Sequence, residues 1–596
     1  MKATDIIFQS YNSGDRFVVM RGRSLFDLTV DCDGKITSIL EEIRIEALKK
    51  ELILLTYSKS EGLEFDTGGL HKNDIQDIDN VLKQYGVPGI GQNNNCSYND
   101  ESITFIRRVL KLAQLKEYPS FRDGRAMKFM FVVVNAENIC PEMQPGSHTE
   151  NQMVAIELAS KLSNSIGLRK SGCFVLFSEE KEGTLDSVLT RDIKILRLPQ
   201  PDKEEKSKFF EACRKRYPNM QVDPDLSDDV IINTTINTPN KSLEKLCFAS
   251  DSTGLIITPA ELFKKKQEDV IKISEGTLEA IDFKRINSTK LVGRNIERPF
   301  QIIKSFSDSL KNGEKTAFRN LLLCGAPSTG KTDLAILATK MSGIQAYVLN
   351  SPKSGIVGES ERKGRNQINS LRENVGIYLL DEVEMVFPMN RNIQSGDGGV
   401  TQYLMGLYQS FLSDSSLNGR CGIIATSNKP DSISDAMRSR WNILPVLMTL
   451  MEDYPSILIS IAQKLFPEFE GEETNPFIIE AAENFYYSGA SPRDMEKSII
   501  ASIAFIKGEL SIEHLVFASK DKIPSGKRLS YIHSELSSIK YCDNVSLLPW
   551  WDIVNNQPYS DYPFPLHIKQ TINSNTLPNI DEIDRYLKEI EPYANV

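Results

Sequence analysis

The most informative segment of this chain is NLLLCGAPSTGKT, at residues 320–332. Its apolar start, 320–323, predicts a buried strand, and the pattern over 333–341 predicts a helix. Between them, the spacing Gly-x-x-x-x-Gly-Lys-Thr lets backbone N–H groups surround phosphates, because neither glycine has a Cβ atom to obstruct the turn. Lys331 would reach the β- and γ-phosphates, and the Thr332 hydroxyl would bind Mg²⁺. The predicted nucleotide contacts are Gly325, Ala326, Pro327, Ser328, Thr329, Gly330, Lys331, Thr332 and Asp333.

Two further apolar segments end in polar residues. Residues 376–380 precede Asp381 and Glu382, and residues 422–426 precede Ser427 and Asn428. Parallel sheets place their chemistry at the carboxyl ends of their strands, so these side chains are expected to meet near the phosphate loop. Asp381 is predicted to hold Mg²⁺, Glu382 to polarise the attacking water, and Asn428 to orient that water. An Asp-Glu pair can also cap a helix, but a pair that follows a phosphate loop favours the catalytic interpretation.

In this order and spacing, the segments GAPSTGKT, YLLDE, ATSNKPD and AMRSRW resemble those of the AAA ATPases. The resemblance implies that Asn428 is sensor 1. It also implies that Arg438 or Arg440 is the finger that reaches a nucleotide bound to the adjacent subunit, as an always-charged planar donor can. The partner implied is therefore the chain itself, in a ring expected to be a hexamer. The spacing Arg-Ser-Arg differs from the family's Arg-x-Gly-Arg, so either arginine could be the finger or an ordinary surface residue.

The resemblance extends to both sides of these segments. Gly293 stands where the family packs a glycine segment against adenine, and Arg493, after Ser-Gly-Ala-Ser-Pro, resembles sensor 2 near the γ-phosphate. Arg493 could equally be a solvated arginine. Residues 355–361 match the first pore loop, but Ile356 replaces the usual aromatic residue and offers less area for gripping a substrate chain. Residues 394–400 fit the second pore loop or a plain connector.

The first half of the chain repeats the strand pattern without the chemistry. An apolar segment ending at Met20 is followed by Arg-Gly-Arg-Ser-Leu at 21–25, where Gly-Lys-Thr would be needed. Residues 129–134 resemble the strand before Asp381, with Asn135 in place of the metal carboxylate. This half is interpreted as a degenerate AAA module. The arrangement is similar to that of the cyanobacterial and plastid-encoded tandem AAA ATPases.

The predicted fold class is α/β, with two phosphate-loop NTPase-like modules. Each is expected to hold a parallel sheet between helices, followed by a small helical lid. The predicted divisions are a degenerate α/β module at 1–200, its lid and linker helix at 201–285, an active α/β module at 286–445, a helical lid at 446–520 and a C-terminal extension at 521–596. Trp550 and Trp551 in the extension could form a docking surface or anchor the extension to its own domain.

Composition limits the choice of partners. The 596 residues are too many for one core, and 70 Lys and Arg against 80 Asp and Glu give a net charge of -10. This charge argues against a chain-wide nucleic-acid surface, so nucleic acid is not an expected partner. The longest apolar segments have strand length, and the N-terminus lacks the apolar stretch of a signal peptide. A cytoplasmic location without membrane insertion is expected.

These patterns predict an ATPase that uses ATP and Mg²⁺ in its second module. It is expected to couple hydrolysis to the remodelling or disassembly of a macromolecular complex whose client is a protein. The alternative is a ring-forming scaffold that binds ATP and hydrolyses it slowly, which Ile356 favours. A nucleic-acid motor is the third candidate. The client and the biological pathway are left open by the sequence.

Overall fold

The computed structural model describes most of the chain in two compact units, the first ending at Val270 and the second beginning at Ile271. The described residues are 2–59, 62–65, 70–84, 106–107, 109, 111, 119–142, 148–170, 172–180, 184–224, 226–281, 292–315, 319–352, 359–386, 399–505, 510–524, 528–552, 555–560 and 562–594. Ile356 and residues 387–398, which include most of the predicted second pore loop, lie outside these ranges, as does Leu291 before Gly293.

The first unit alternates strands and helices. Its described strands are β1 (Phe17–Arg21), β2 (Leu28–Val30), β3 (Ile36–Ser38), β4 (Leu52–Ser58), β5 (Gly62–Phe65), β6 (Lys128–Val133), β7 (Phe174–Ser178), β8 (Lys194–Arg197), β9 (Gln221–Val222) and β10 (Ile256–Ile257). Its described helices are α1 (Ala3–Asn12), α2 (Ile39–Lys49), α3 (Lys72–Gln84), α4 (Glu150–Ser163), α5 (Ile166–Lys170), α6 (Ser187–Asp192), α7 (Lys203–Arg216), α8 (Asp228–Thr235), α9 (Asn240–Thr253) and α10 (Pro259–Ile273). A 3-10 turn covers Ala136–Asn138.

The main sheet of this unit has the order β5-β4-β6-β7-β1-β8. Every pairing in it is parallel except that of the edge strand β5 with β4. Successive side chains point to opposite faces, so Val19 and Phe131 enter one buried cluster while Val18 and Met130 enter another. Burial on both faces explains why these strands are almost continuously apolar.

The second unit contains the phosphate-loop motif. Its described strands are β11 (Leu278–Ala280), β12 (Asn320–Cys324), β13 (Ala346–Leu349), β14 (Gly376–Leu380), β15 (Cys421–Ser427), β16 (Asn442–Pro445), β17 (Trp551–Asp552) and β18 (Gln557–Pro558). Its described helices are α11 (Arg294–Lys311), α12 (Lys331–Ser342), α13 (Glu359–Glu373), α14 (Val383–Val386), α15 (Val400–Leu412), α16 (Asp435–Arg438), α17 (Tyr454–Leu465), α18 (Pro476–Tyr487), α19 (Pro492–Phe505), α20 (Ile512–Asp521), α21 (Arg528–Lys540), α22 (Leu566–Lys569) and α23 (Ile580–Ala594). The 3-10 turns are Ser415–Leu417, Pro430–Ser432, Met451–Asp453 and Val545–Leu547.

The second main sheet has the order β11-β13-β14-β15-β12-β16, again parallel apart from its edge strand. The two sheets therefore share one topology, in which β1 corresponds to β12 and β8 to β16. This confirms the predicted fold class of two α/β modules, each with a parallel sheet between helices; the six strands and the antiparallel edge strand of each sheet are additions from the structure. Strand β11 falls within the range 201–285 predicted for the first lid and linker, yet it pairs with β13 of the second sheet.

Each sheet is followed by helices that have their own core. After β16, helices α17 to α20 pack around Leu458, Phe485 and Met495. After β8, helices α7 to α9 pack around Phe209 and Ile231. Both groups correspond to the helical lids predicted from the sequence.

The C-terminal extension packs against the second sheet's exit segment. Trp550 is fully buried, its Nε1 donates to Thr576 O at 3.0 Å, and it shares a cluster with Leu447 and Ile583. Trp550 therefore anchors the extension, as one of the two alternatives predicted, while Trp551 is only partly buried. Among the described helices, none is both long and apolar enough to span a membrane.

Candidate nucleotide site

The phosphate loop connects β12 to α12 by a tight backbone path. All five residues of β12 are buried, and α12 begins at Lys331 directly after Gly330, whose φ is 82°. Gly325 has a φ of 156°, and a Cβ atom there would lie 2.1 Å from Val446 O. Both glycines are thus required by the backbone, the first by close approach and the second by its left-handed conformation. Ser328 is also left-handed, at φ 63°.

Lys331 lies at the centre of the loop. Its Nζ donates to Gly325 O at 3.0 Å, to Ala326 O at 2.7 Å and to Asn428 Oδ1 at 2.8 Å. The side chain is 6% exposed, and burial lowers the pKa of the ammonium group to about 8. An anionic group bound beside it would favour the charged form. The structure thus brings the predicted lysine and the predicted sensor asparagine into direct contact.

Asp381 faces the first turn of α12. Its Oδ1 accepts from Thr332 Oγ1 at 3.1 Å and also from the hydroxyl of Thr426. These are hard oxygen groups of the kind that Mg²⁺ prefers. Glu382 follows with a φ of 50°, its N–H donates to Thr426 Oγ1 at 3.2 Å, and its side chain is exposed at the sheet edge. Asp333 lies half-buried in the same turn of α12 as Thr332.

Glu384 was not predicted from the sequence. Its Oε1 accepts from the backbone N–H of Asn428 at 3.1 Å, while its Oε2 is buried without a hydrogen-bond partner among the described residues. This carboxylate therefore ties the segment after β14 to the end of β15. The signal in the sequence was a third acidic residue in Asp-Glu-Val-Glu, which a helical cap would also explain.

The two candidate arginines differ in their surroundings. The Arg438 side chain is 11% exposed, pairs with Asp435 and places its guanidinium 3.7 Å from the centre of the Tyr541 ring. Arg440 is also partly buried; its Nε donates to Ser413 Oγ at 2.9 Å, and another of its nitrogens contacts Ala436 O. Arg438 thus has an ion pair and an aromatic contact within its own chain, whereas the contacts described for Arg440 are hydrogen bonds to neutral groups.

Gly293 is buried, whereas Arg493 is exposed to solvent. Gly293 has a φ of 129°, and a Cβ atom there would lie 2.6 Å from Asn295 Oδ1. The next residue, Arg294, donates its N–H to Asp453 Oδ2 at 2.9 Å, which ties this segment to the start of the lid. Arg493 is exposed and is not among the described residues that line the cavity beside the phosphate loop.

That cavity has a volume of about 400 Å³ and begins at Pro327–Thr329. The lid contributes Tyr454 and Tyr486, and Tyr454 Oη donates to Ala490 O at 2.9 Å. The segment 448–452 after β16 forms another side. A volume of this size is typical of small-molecule sites. The extension also lines the cavity, which the sequence did not predict.

At the corresponding edge of the first sheet, the backbone turns resemble those of the second sheet, but the side chains differ. Gly22 corresponds to Gly325, with a φ of 90° and a hypothetical Cβ 2.7 Å from Leu198 O. Asn135 has a φ of 50° and follows β6 as Glu382 follows β14. Glu137 Oε1 accepts from the N–H of Glu180 at 3.1 Å, matching the bond from Asn428 to Glu384.

The register corrects one detail of the sequence interpretation. Leu380 and Val133 are equivalent last residues of β14 and β6, so Val134 corresponds to Asp381 and Asn135 to Glu382. The residue at the metal-carboxylate position is therefore valine, one residue before the predicted asparagine.

Arginines fill the loop position of the first unit. Arg21 pairs with Glu179, and both side chains are buried. Arg23 is 5% exposed and pairs with Asp27 and with Glu205, each at 2.7 Å. These cations are neutralised by carboxylates of the same unit.

Comparisons with known proteins match the part of the chain that carries this geometry. Residues 321–446 match the model of the ATPase family associated with various cellular activities, AAA. A segment of 123 residues is 29% identical to ATPase family gene 2 protein of Saccharomyces cerevisiae and 29% identical to Protein SAV of Sulfolobus acidocaldarius. Each match covers 20% of this chain, and the matched segment spans only 16% and 15% of the two relatives. Together with the loop, Asp381 and Asn428, this match shows that the second unit contains a domain of the AAA family of ATPases.

Proposed function

We propose that the second unit binds Mg-ATP and hydrolyses it. The observation that carries this proposal is the convergence at Lys331, whose Nζ contacts two loop carbonyls and Asn428 Oδ1, beside the hydrogen-bonded pair of Thr332 and Asp381. A glycine loop, a lysine, a hydroxyl and a carboxylate are the groups that phosphate-loop NTPases use for a nucleotide and its metal.

The residues present fit both ligands. The loop has left-handed residues at Ser328 and Gly330, and a backbone of this kind suits close approach of its N–H groups to phosphates. Among the described residues, no cluster of three or more His, Cys, Asp and Glu side chains could hold a metal. Mg²⁺ in nucleotide sites typically takes one or two protein groups, with phosphates and water completing its shell. Thr332 and Asp381 would hold it, and the bound ion would neutralise charge that develops on the phosphates.

Two residues at the sheet edge would act on the attacking water, and a third would position one of them. Glu382 lies just after β14 in a left-handed backbone conformation, and its carboxylate would polarise the water. Asn428 would orient it, and its amide already reaches Lys331. Glu384 is a positioning residue, because its carboxylate contacts the backbone of Asn428 rather than the reacting groups.

A ring of identical subunits, expected to be a hexamer, would complete the site. Arg440 is the better candidate for the finger, because Arg438 is enclosed by Asp435 and Tyr541. A guanidinium supplied by a neighbour would offset charge on the transferred phosphoryl group. Large apolar side chains exposed on the lid helices support a surface covered by another subunit; they are Phe477, Tyr487, Ile500, Phe505 and Phe517.

We propose that hydrolysis drives the remodelling or disassembly of a protein complex. The second candidate, a slow scaffold that assembles with ATP, is favoured by Ile356 in the pore-loop segment. Stimulation of turnover by a client protein would support the remodeller, whereas ATP-dependent assembly with negligible turnover would support the scaffold. A pull-down with Glu382→Gln, which should bind ATP without hydrolysing it, is designed to retain the client.

Two substitutions test the nucleotide site. Lys331→Ala is expected to abolish binding of ATP, because it removes the cation that faces the phosphates. Glu382→Gln is expected to bind ATP as the unmodified chain does and to lower turnover at least ~10²-fold, because only the group that activates water is lost. Titration calorimetry and phosphate release measure the two quantities. Turnover near that of the unmodified chain in Glu382→Gln would contradict the role of this carboxylate.

A further inference from the structure

One wall of the cavity beside the phosphate loop comes from the C-terminal extension, beyond the residues that match the AAA family. Arg528 and Ile532 of α21 line it, as do the residues of the segment 563–569 around α22 other than the buried Ile568. On the opposite sides stand the loop at Pro327–Thr329 and the lid residue Tyr486. A ligand with phosphates at the loop and its remaining part in this cavity would therefore contact the extension.

A buried carboxylate connects this wall, formed by the extension, to the segment 448–452 on another side of the cavity. Glu535 is fully buried; its Oε1 accepts from the N–H of Met448 at 2.7 Å, and its Oε2 hydrogen bonds with His567 Nε2 at 2.5 Å. Met448 and His567 both line the cavity. Since Trp550 also anchors the extension, the wall is held in place by buried contacts at two points.

The charges on the wall favour an anionic ligand. Among the described lining residues, Arg528 and Lys569 carry permanent positive charge and Glu452 is the single carboxylate. The Arg528 guanidinium lies 5.5 Å from the centre of the Tyr486 ring, and a planar fork of N–H donors matches the geometry of phosphate oxygens. Arg493, in contrast, does not line the cavity.

We propose that the C-terminal extension completes the adenine-nucleotide site of its own chain. Arg528 binds the phosphates of the nucleotide, and residues 563–569 cover its base and ribose. The inference rests on the proposed nucleotide function of the second unit and adds a group that the motifs of the AAA domain do not contain. It assigns to Arg528 the contact that the sequence placed at Arg493.

Calorimetric titration of the full chain with Mg-ADP tests the role of Arg528. Arg528→Ala is expected to raise the Kd at least ~5-fold, since a charge-assisted contact is lost. Arg528→Lys should recover part of the affinity because it keeps the charge. Arg585→Ala is the matched control, as this arginine of the extension is 76% exposed and lies outside the cavity; its Kd should stay within ~2-fold of the unmodified chain.

A second variant tests the cover over the base. Leu566 lines the cavity yet is 71% exposed, so Leu566→Trp adds a ring to the cavity without disturbing a core. It should raise the Kd for Mg-ADP at least ~10-fold by occupying the space of the base. Ile580→Trp, at an exposed position of the extension outside the cavity, should leave the Kd unchanged.

The outcomes separate the two proposals. If the unmodified chain does not bind Mg-ADP, the proposed function itself fails. If the unmodified chain binds and Lys331→Ala does not, the function stands. If Arg528→Ala then binds Mg-ADP as tightly as the unmodified chain, Arg528 does not contact the phosphates. If Leu566→Trp binds as tightly as the unmodified chain, the segment 563–569 does not cover the base.

Discussion

At the scale of single residues, the candidate site shows which contacts a sequence can predict. Asp381 and Asn428 each follow a buried strand directly, Lys331 follows β12 after the glycine loop, and the ends of adjacent parallel strands meet at one edge. Their convergence follows from strand position alone, and the structure places Lys331 Nζ 2.8 Å from Asn428 Oδ1. Glu384 was missed because its contact depends on the left-handed turn at Glu382, which redirects the chain after β14.

Glu384 should affect turnover through Asn428. Glu384→Ala is expected to lower kcat ~10-fold, because a small displacement of the water-orienting amide misaligns the reacting atoms. The affinity for ATP should change by less than ~3-fold, since Glu384 contacts no loop residue in the hydrogen bonds described. Glu384→Gln should retain most of the activity, because its amide oxygen can still accept from the N–H of Asn428.

Steady-state kinetics measure kcat and KM for both variants. Met385→Ala is the control, because the neighbouring Met385 side chain is 71% exposed. A kcat for Glu384→Ala equal to that of the unmodified chain would contradict the positioning role. An equal loss in Glu384→Gln would contradict it as well, since the accepted hydrogen bond would then not be the relevant contact.

At the scale of elements, the apolar segments predicted β12, β14 and β15 of the second sheet and β1 and β6 of the first, but not the inner strand β13. The paired edge strands β5 and β11 were not predicted, because short strands with one free edge carry little apolar pattern. The correspondence of Val134 in the first sheet to Asp381 in the second was also missed. A shift of one residue changes which side chain reaches the sheet edge, and only the pairing register resolves it.

In the first unit, the arginines at the end of β1 and just after it form ion pairs with carboxylates of the same unit. The buried pair Arg21–Glu179 and the contacts of Arg23 with Asp27 and Glu205 occupy the position where the second unit has its phosphate loop. A phosphate would have to displace these carboxylates from the arginines, and desolvated charges are costly to separate from their partners. This supports the interpretation of the first unit as a module that has the strand order of the second and no nucleotide site.

One nucleotide per chain is therefore expected. Titration of the full chain with Mg-ADP should give a stoichiometry near one, because the first unit has arginine pairs at the end of β1, where the second unit begins its phosphate loop, and Val134 at the position of Asp381. Lys331→Ala should remove the whole binding signal. A second binding event, or micromolar binding that survives Lys331→Ala, would show that the first unit holds a working site.

At the scale of the whole molecule, the extension was the least predictable part. Residues 521–596 carry no catalytic motif, and their role depends on contacts such as Glu535 with Met448 that join distant parts of the sequence. Trp550 was recognised as an anchor or a docking residue, and burial decided between the two. The cavity wall formed by Arg528 and residues 563–569 arises from this packing, so it was visible only in the folded chain.

The proposed ring predicts that active sites are shared between chains. Glu382→Gln and Arg440→Ala should each be nearly inactive alone, because one lacks the water activator and the other the cation supplied to a neighbour. In a mixture, a site that joins an intact Glu382 to a neighbouring intact Arg440 should work. With random assembly at equal amounts, about a quarter of the sites meet this condition.

Phosphate release from the mixture should therefore exceed the sum of the two variants and approach about a quarter of the turnover of the unmodified chain. The control mixes Glu382→Gln with a chain that carries Glu382→Gln and Arg440→Ala together; no complete site can form in it, so no recovery is expected. Dilution should lower the turnover per chain, because an isolated subunit lacks the neighbour's arginine. Full turnover by a chain that sedimentation shows to be monomeric would rule out the shared site, because Arg440 would then have no neighbour on which to act.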